Sequence, residues 1–129
     1  MSTGVSHRAS HWDDLRVVFD GFAKRVSSQI TGLTWSTESH PSNVYSFIGL
    51  LAISRISDPE NELIVVTMEC RSDGSAEEWS LDITGPRSIA LAEMPRQVIV
   101  GSDDVRLALG AVGEFLGHHV DDALRVLHE

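Results

Sequence analysis

The densest group of side chains able to do chemistry is His118-His119-Val120-Asp121-Asp122. Imidazole and carboxylate are ordinary ligands for zinc, nickel or manganese. On a helix His118 and Asp122 lie one turn apart, near enough to share an ion. Adjacent histidines point about 100° apart, so His118 and His119 do not serve one metal together. The spacing of a zinc motif is absent. His7, His11 and His40 stand far off in the chain. The expected state is a solvated face with a His118–Asp122 pair, and these two residues are the metal candidates.

Cys70 is the one cysteine, so no disulfide forms within the chain, and a lone thiol suits a reducing compartment. Its strand parity turns it inward, where a thiol behaves as a small hydrophobe. There is no Gly-x-Ser-x-Gly elbow, phosphate-cradling glycine loop or dinucleotide fingerprint. Asp13-Asp14, Glu77-Glu78 and Asp103-Asp104 are neighbours in sequence, which suits helix starts and solvated faces better than an acid/base pair. No catalytic residue and no cofactor is expected. The three tryptophans, Trp12, Trp35 and Trp79, read most simply as core. Trp35 borders a polar loop and is the one of the three placed to line a pocket or interface.

These residues need elements to hold them. Trp12, Leu15, Phe19, Phe22, Val26 and Ile30 recur at three- and four-residue steps, one apolar stripe of a helix. Ser10 is its expected cap, three residues before Asp13, and Gly32 its stop. Residues 1–9 are expected to form a flexible arm ahead of a single domain over 10–129.

Strand-like runs follow. Leu33 to Thr37 alternates, a loop is expected over Glu38 to Asn43, and Val44 to Ile56 is long and apolar. Its β-branched and aromatic content favours a strand, with a bulge at Gly49. Asp73-Gly74 suits a two-residue type I′ turn. Folding there sets Met68 opposite Trp79, Val66 opposite Leu81 and Ile64 opposite Ile83. It also sets Glu69 opposite Glu78, an unfavourable pair. A three-residue loop, Gly85-Pro86-Arg87, would place Ile89 opposite Ile83. Pro95 is expected to end that strand, with Gln97 to Val100 as a sixth.

The last helix is capped by Ser102, with Asp103 and Asp104 at its positive end. Its stripe runs from Val105 towards Leu127, and Gly117 is a natural place for a break. Gly113 and Gly117 beside that stripe suggest close approach to the first helix. The fold class is therefore α+β in two layers: helix, antiparallel meander of four to six strands, helix, with both helices on one sheet face.

The run Val44 to Ile56 has more apolar residues than one face can use. Tyr45, Phe47, Leu51 and Ile53 share one side; Val44, Ile48, Leu50 and Ile56 share the other. Such a face needs a cover: a second subunit, a partner or a ligand, or else the loop Glu38 to Asn43 or the N-terminal arm folded over it; the expected partner contacts are Trp35, Tyr45, Phe47, Leu51, Ile53 and Val65.

Composition limits that partner. The 129 residues carry 19 acids against 10 bases, a net charge of −9. Such a field repels phosphate, so nucleic acid and anionic membrane are not expected. No run approaches the roughly 20 apolar residues of a membrane span. Met1 to Ser10 lacks a leader's apolar segment, so the cytoplasm is expected. Nine of the ten bases are arginine, as a GC-rich bacterial genome would favour. The expected function is a non-catalytic interaction domain of adaptor, chaperone-like or immunity-like type, bound to a protein partner or to itself as a homodimer. The competing expectation is a small-molecule binder or small enzyme with a pocket between the sheet and the last helix.

Overall fold

The computed structural model describes residues 3–41, 46–72 and 76–128, with 3–10 and Ser102 described through the backbone alone. Helix α1 (Thr3–Ser27) leads into strands β1 (Leu33–Pro41), β2 (Phe47–Arg55), β3 (Ile64–Ser72), β4 (Glu77–Thr84) and β5 (Ala90–Ile99). Helices α2 (Ser102–His118) and α3 (Val120–His128) follow. The strands form one antiparallel sheet in chain order. The helices pack on one face of it, which is the expected two-layer α+β arrangement.

The core lies between these layers. Ile64, Val66, Met68 and Cys70 of β3, with Trp79, Leu81 and Ile83 of β4, are buried at every second position. They meet Leu15, Phe19 and Val26 of α1, Val112 and Leu116 of α2, and Ala123 and Leu127 of α3. Each large side chain so buried contributes roughly 1.5–3 kcal/mol, which is what holds the helices to the sheet.

Helix α1 begins at Thr3, not Ser10. Once the packed stripe from Trp12 to Val26 has formed the costly first turns, extension through residues 3–9 adds one hydrogen bond per residue. At the other end Ser27 and Ser28 hydroxyls donate back to the Lys24 and Arg25 carbonyls. Gly32, at φ +84°, turns the chain into β1.

Strand β1 runs on through Glu38 to Pro41, where a loop was expected, because each residue finds a partner on β2. The expected bulge at Gly49 is absent: Gly49 pairs regularly with Ser39 and Met68. Its missing side chain makes room for Trp12, whose ring would lie 2.5 Å from a Cβ there.

The β3–β4 register is two residues from the one predicted. Cys70 faces Trp79, Met68 faces Leu81 and Val66 faces Ile83. The last pair is Ser72 with Glu77, so four residues, 73–76, join the strands. Asp73 and Gly74 themselves lie outside the described residues. A shift by two preserves every inward and outward assignment. It also sets Ser80 opposite Glu69 and Arg71 opposite Glu78, so the like-charge pair never forms.

Strand β5 continues through Pro95 as one element, not two. Trp79 pairs with Gln97 and Leu81 with Met94, so Pro95 and Arg96 together oppose Ser80 in a bulge. An edge strand tolerates proline at such a point, since no ladder donor is lost. A 3-10 turn over Pro86–Ser88 precedes it, and Ile83 pairs with Ala92 while Ile89 is left exposed.

Gly101 caps α2, and the Asp104 carboxylate accepts from the Val100 and Gly101 backbone N–H groups at 3.0 and 3.2 Å. Those two donors hold its carboxyl below the usual range. The break between α2 and α3 falls at His119. Gly113 lies against Val18, and a Cβ on Gly117 would meet Arg25, so both glycines admit α1.

Candidate functional site

Of the predicted contact residues, Phe47, Leu51 and Ile53 point under the helices and are buried, so they are core and not surface. Residue alternation had left open which side of β2 faced inward, and α1 settles it by laying Trp12 and Phe19 over that side. Trp35 is half-buried on the same side, its indole N–H donating to Asp20 Oδ1 at 3.1 Å. Tyr45 lies outside the described residues. Val65 is on the opposite face, half-buried.

That opposite face is where the fold leaves its surplus. Register sets Ala52 of β2 opposite Val65 of β3, with Leu50 and Ile48 continuing the apolar row along β2 opposite Thr67 and Glu69, the four apolar residues all half-buried. Towards β4 and β5 the face turns charged. Glu69 pairs with Arg71, and Arg96 lies 3.7 Å from Glu78. Two depressions adjoin there. One of about 100 Å³ is lined by Glu69, Arg71, Glu78, Ser80 and Arg96. The other, of about 210 Å³, is lined by Thr67, Glu69, Ser80, Leu81, Asp82 and Glu93.

Asp82 and Glu93 face each other across β4 and β5, and among the described residues no basic side chain lines the larger depression. Partial burial and the Glu93 charge push the Asp82 carboxyl up from its ordinary value. A raised pKa means that the folded chain holds this proton more tightly than the unfolded chain. Ionised Asp82 therefore costs stability above its raised pKa, and the cost vanishes below the unfolded value of about 3.9. Asp82 is exposed, so solvent screens most of this effect; Asp82→Asn should raise Tm at pH 7 by about 1 °C at most and change nothing near pH 3. Thermal melts of both proteins at the two pH values check this, and an equal gain at pH 3 would remove the electrostatic cause.

The groove was missed in the sequence because the three-residue loop Gly85-Pro86-Arg87 sets Ile89 opposite Ile83, three residues from the true register, and an odd shift turns Glu93 to the inward face. The outward parity of Thr67, Glu69, Ser80 and Asp82 was legible in the hairpin pattern.

The histidine cluster resolves differently from its pattern. His118 is exposed and lies 3.6 Å from Glu114. His119 Nδ1 sits 2.8 Å from Asp122 Oδ2, and its ring packs on Phe115. Asp122 thus meets His119, three residues away across the break, and not His118. The His119 hydrogen bond, with Arg125 at 3.1 Å, draws the Asp122 carboxyl below the usual range. Among the described residues no three His, Cys, Asp or Glu side chains converge to hold a metal.

Cys70 is buried against Trp79. Burial first, then the charges of Glu77 and Glu69, push its thiol up, away from the thiolate that a nucleophile needs. Beside it Trp79 Nε1–H donates to Glu77 Oε2 at 3.0 Å, and His11 packs edge-on to the Trp79 ring. His11 Nδ1 lies 3.5 Å from the same Glu77 oxygen. This group ties α1 to β4.

No described helix is long and apolar enough to cross a membrane. Comparison with family models, curated proteins and solved structures found no match.

Proposed function

We propose that this chain is a non-catalytic protein–protein interaction domain of the bacterial cytoplasm, of adaptor, chaperone-like or immunity-like type, that also associates with itself as a homodimer. The observation that supports it most is the open face of the sheet. An apolar row of Ile48, Leu50 and Ala52, with Val65, adjoins carboxylates, Asp82 and Glu93, that among the described residues lack a basic neighbour in their groove. Apolar area supplies affinity, and the charge selects and steers a basic partner. The net charge of −9 acts in the same direction. The space between sheet and helices is filled by side chains such as Trp79, Leu81 and Leu116, which weighs against a ligand pocket there.

Capture from the source cell tests the reading. The wild-type chain should retain a basic protein, and Leu50→Lys should weaken that capture by about tenfold or more, as loss of a central apolar contact does. Leu107→Lys on α2, where the leucine is already 73% exposed, should bind as wild type does. Equal capture by wild type and Leu50→Lys would defeat the proposal.

A further inference from the structure

The two edges of the sheet are guarded very differently. β5 carries Pro95, two register irregularities, Glu93 and Arg96. Those are the devices that stop an edge from pairing with another chain. β1 has nine residues in unbroken register, one full charge at Glu38, and its proline only at the last position.

The outward hydrogen-bonding groups of β1 follow from one bond. Ile56 N–H donates to the Gly32 carbonyl at 2.8 Å. In an antiparallel ladder bonded pairs alternate with unbonded ones. Thr34, Ser36, Glu38 and His40 therefore bond to β2. Leu33, Trp35, Thr37 and Ser39 direct their N–H and C=O groups away from it. The Leu63 N–H donating to Ile53 O agrees with this parity, since Ile53 must then turn to β3.

We propose that β1 is the homodimer seam, pairing antiparallel with β1 of a second copy about a two-fold axis at Thr37. This rests on the self-association proposed above and places it at the edge, not the open face. The strand is self-complementary in that register. Glu38 comes opposite Ser36 of the second copy, His40 opposite Thr34, and Thr37 opposite its own image, a favourable pair. An axis at Glu38 would oppose two carboxylates.

A second observation lies above the strand. Asp20 of α1 bonds Trp35, which sets that flank of the helix beside β1, and the exposed Arg16, about 40° from Asp20 around the helix, shares it. The two-fold brings the two α1 helices alongside each other over the seam, with Arg16 and Asp20 of each on the side towards the other copy. Isologous pairing of this kind is the commonest closed assembly.

Sedimentation equilibrium and amide exchange test this. A mass of twice 14.1 kDa is expected. From about 5 µM to about 500 µM, exchange at Trp35, Thr37 and Ser39 should slow roughly tenfold or more as dimer accumulates. Ser36 and Glu38, bonded to β2 in both states, should not change. Thr37→Pro removes an outward N–H that the monomer does not use, and Arg16→Glu alters only an exposed side chain and makes the α1 flank with Asp13 and Asp20 wholly acidic; each should yield monomer at 500 µM, roughly the top of that range. If Thr37→Pro fails to fold, Arg16→Glu and the exchange pattern still decide. A one-chain mass throughout would overturn both the seam and the self-association. A dimer that survives Arg16→Glu, or whose odd-numbered amides ignore concentration, would overturn the seam alone.

Discussion

Replacing Trp79 with alanine should destabilise the protein by about 3–5 kcal/mol, the usual cost of truncating a buried aromatic. The indole has no exposed surface and is the largest fully buried side chain described. It sits on β4 opposite Cys70, with His11 against its edge. Truncation removes this packing and leaves a cavity that two layers held by other contacts close only in part. It also removes the donor to Glu77 Oε2. Domains of this kind are held by only about 5–15 kcal/mol in total, so the variant is expected to unfold at much lower urea. Trp79→Phe keeps most of the volume and loses the N–H, and should cost about 1–2 kcal/mol. Urea titration of the three proteins reads both costs from the midpoints. A loss under about 1 kcal/mol for the alanine variant would show that Trp79 does not anchor the sheet to the helices.

The same residue marks what the amino-acid pattern could reveal. Its inward side was legible, because strand parity survives any even shift. Its partner was not. Asp73-Gly74 resembles a two-residue turn, yet the ladder closes at Ser72 and Glu77. The competing information is spread along the strands: the longer connection replaces Glu69 against Glu78 with Arg71 against Glu78. An unfavourable pair in a trial register was the available sign of error.

β2 taught a different lesson. Its run was long, apolar and correctly a strand, but both of its faces were apolar, so composition did not say which would lie beneath α1. That choice rests on Trp12, far away in sequence, and on one glycine. The proposed contact set accordingly divides: Val65 lies on the open face, while Phe47, Leu51 and Ile53 lie under the helices. The β5 groove depended on a connection longer than Gly85-Pro86-Arg87, which shifts the register by three and exchanges the faces of β5. Asp122 has histidines three and four residues before it, both within helical reach, and spacing alone does not choose between them; in the fold it pairs with His119.

Gly49 supports the second large prediction, in which two physical effects have opposite signs. Strand propensity alone makes Gly49→Val stabilising by up to about 1 kcal/mol, since glycine is poor and valine good in strands. Packing says otherwise. A Cβ at position 49 would lie 2.5 Å from Trp12 Cζ3 and 3.0 Å from Cε3, and valine adds two methyl groups beyond it. The half-buried indole packs edge-on to Phe19 and Phe47 at centroid distances of 5.9 and 6.5 Å. Displacing it disturbs its contacts with these two buried rings. Overpacking of this kind costs about 1–3 kcal/mol, occasionally more, so packing wins and Gly49→Val should be destabilised by about 2 kcal/mol net. The cause can be isolated. In a Trp12→Ala background the ring is gone, and Gly49→Val should then be neutral or stabilising. The resulting coupling should reach about 2–3 kcal/mol, near the upper end for residues in contact. Four denaturation curves complete that cycle. Additive losses would mean that Gly49 is required by its backbone and not by the ring above it. The close fit would then no longer explain why α1 lies over this side of β2 and leaves Ile48, Leu50 and Ala52 facing out.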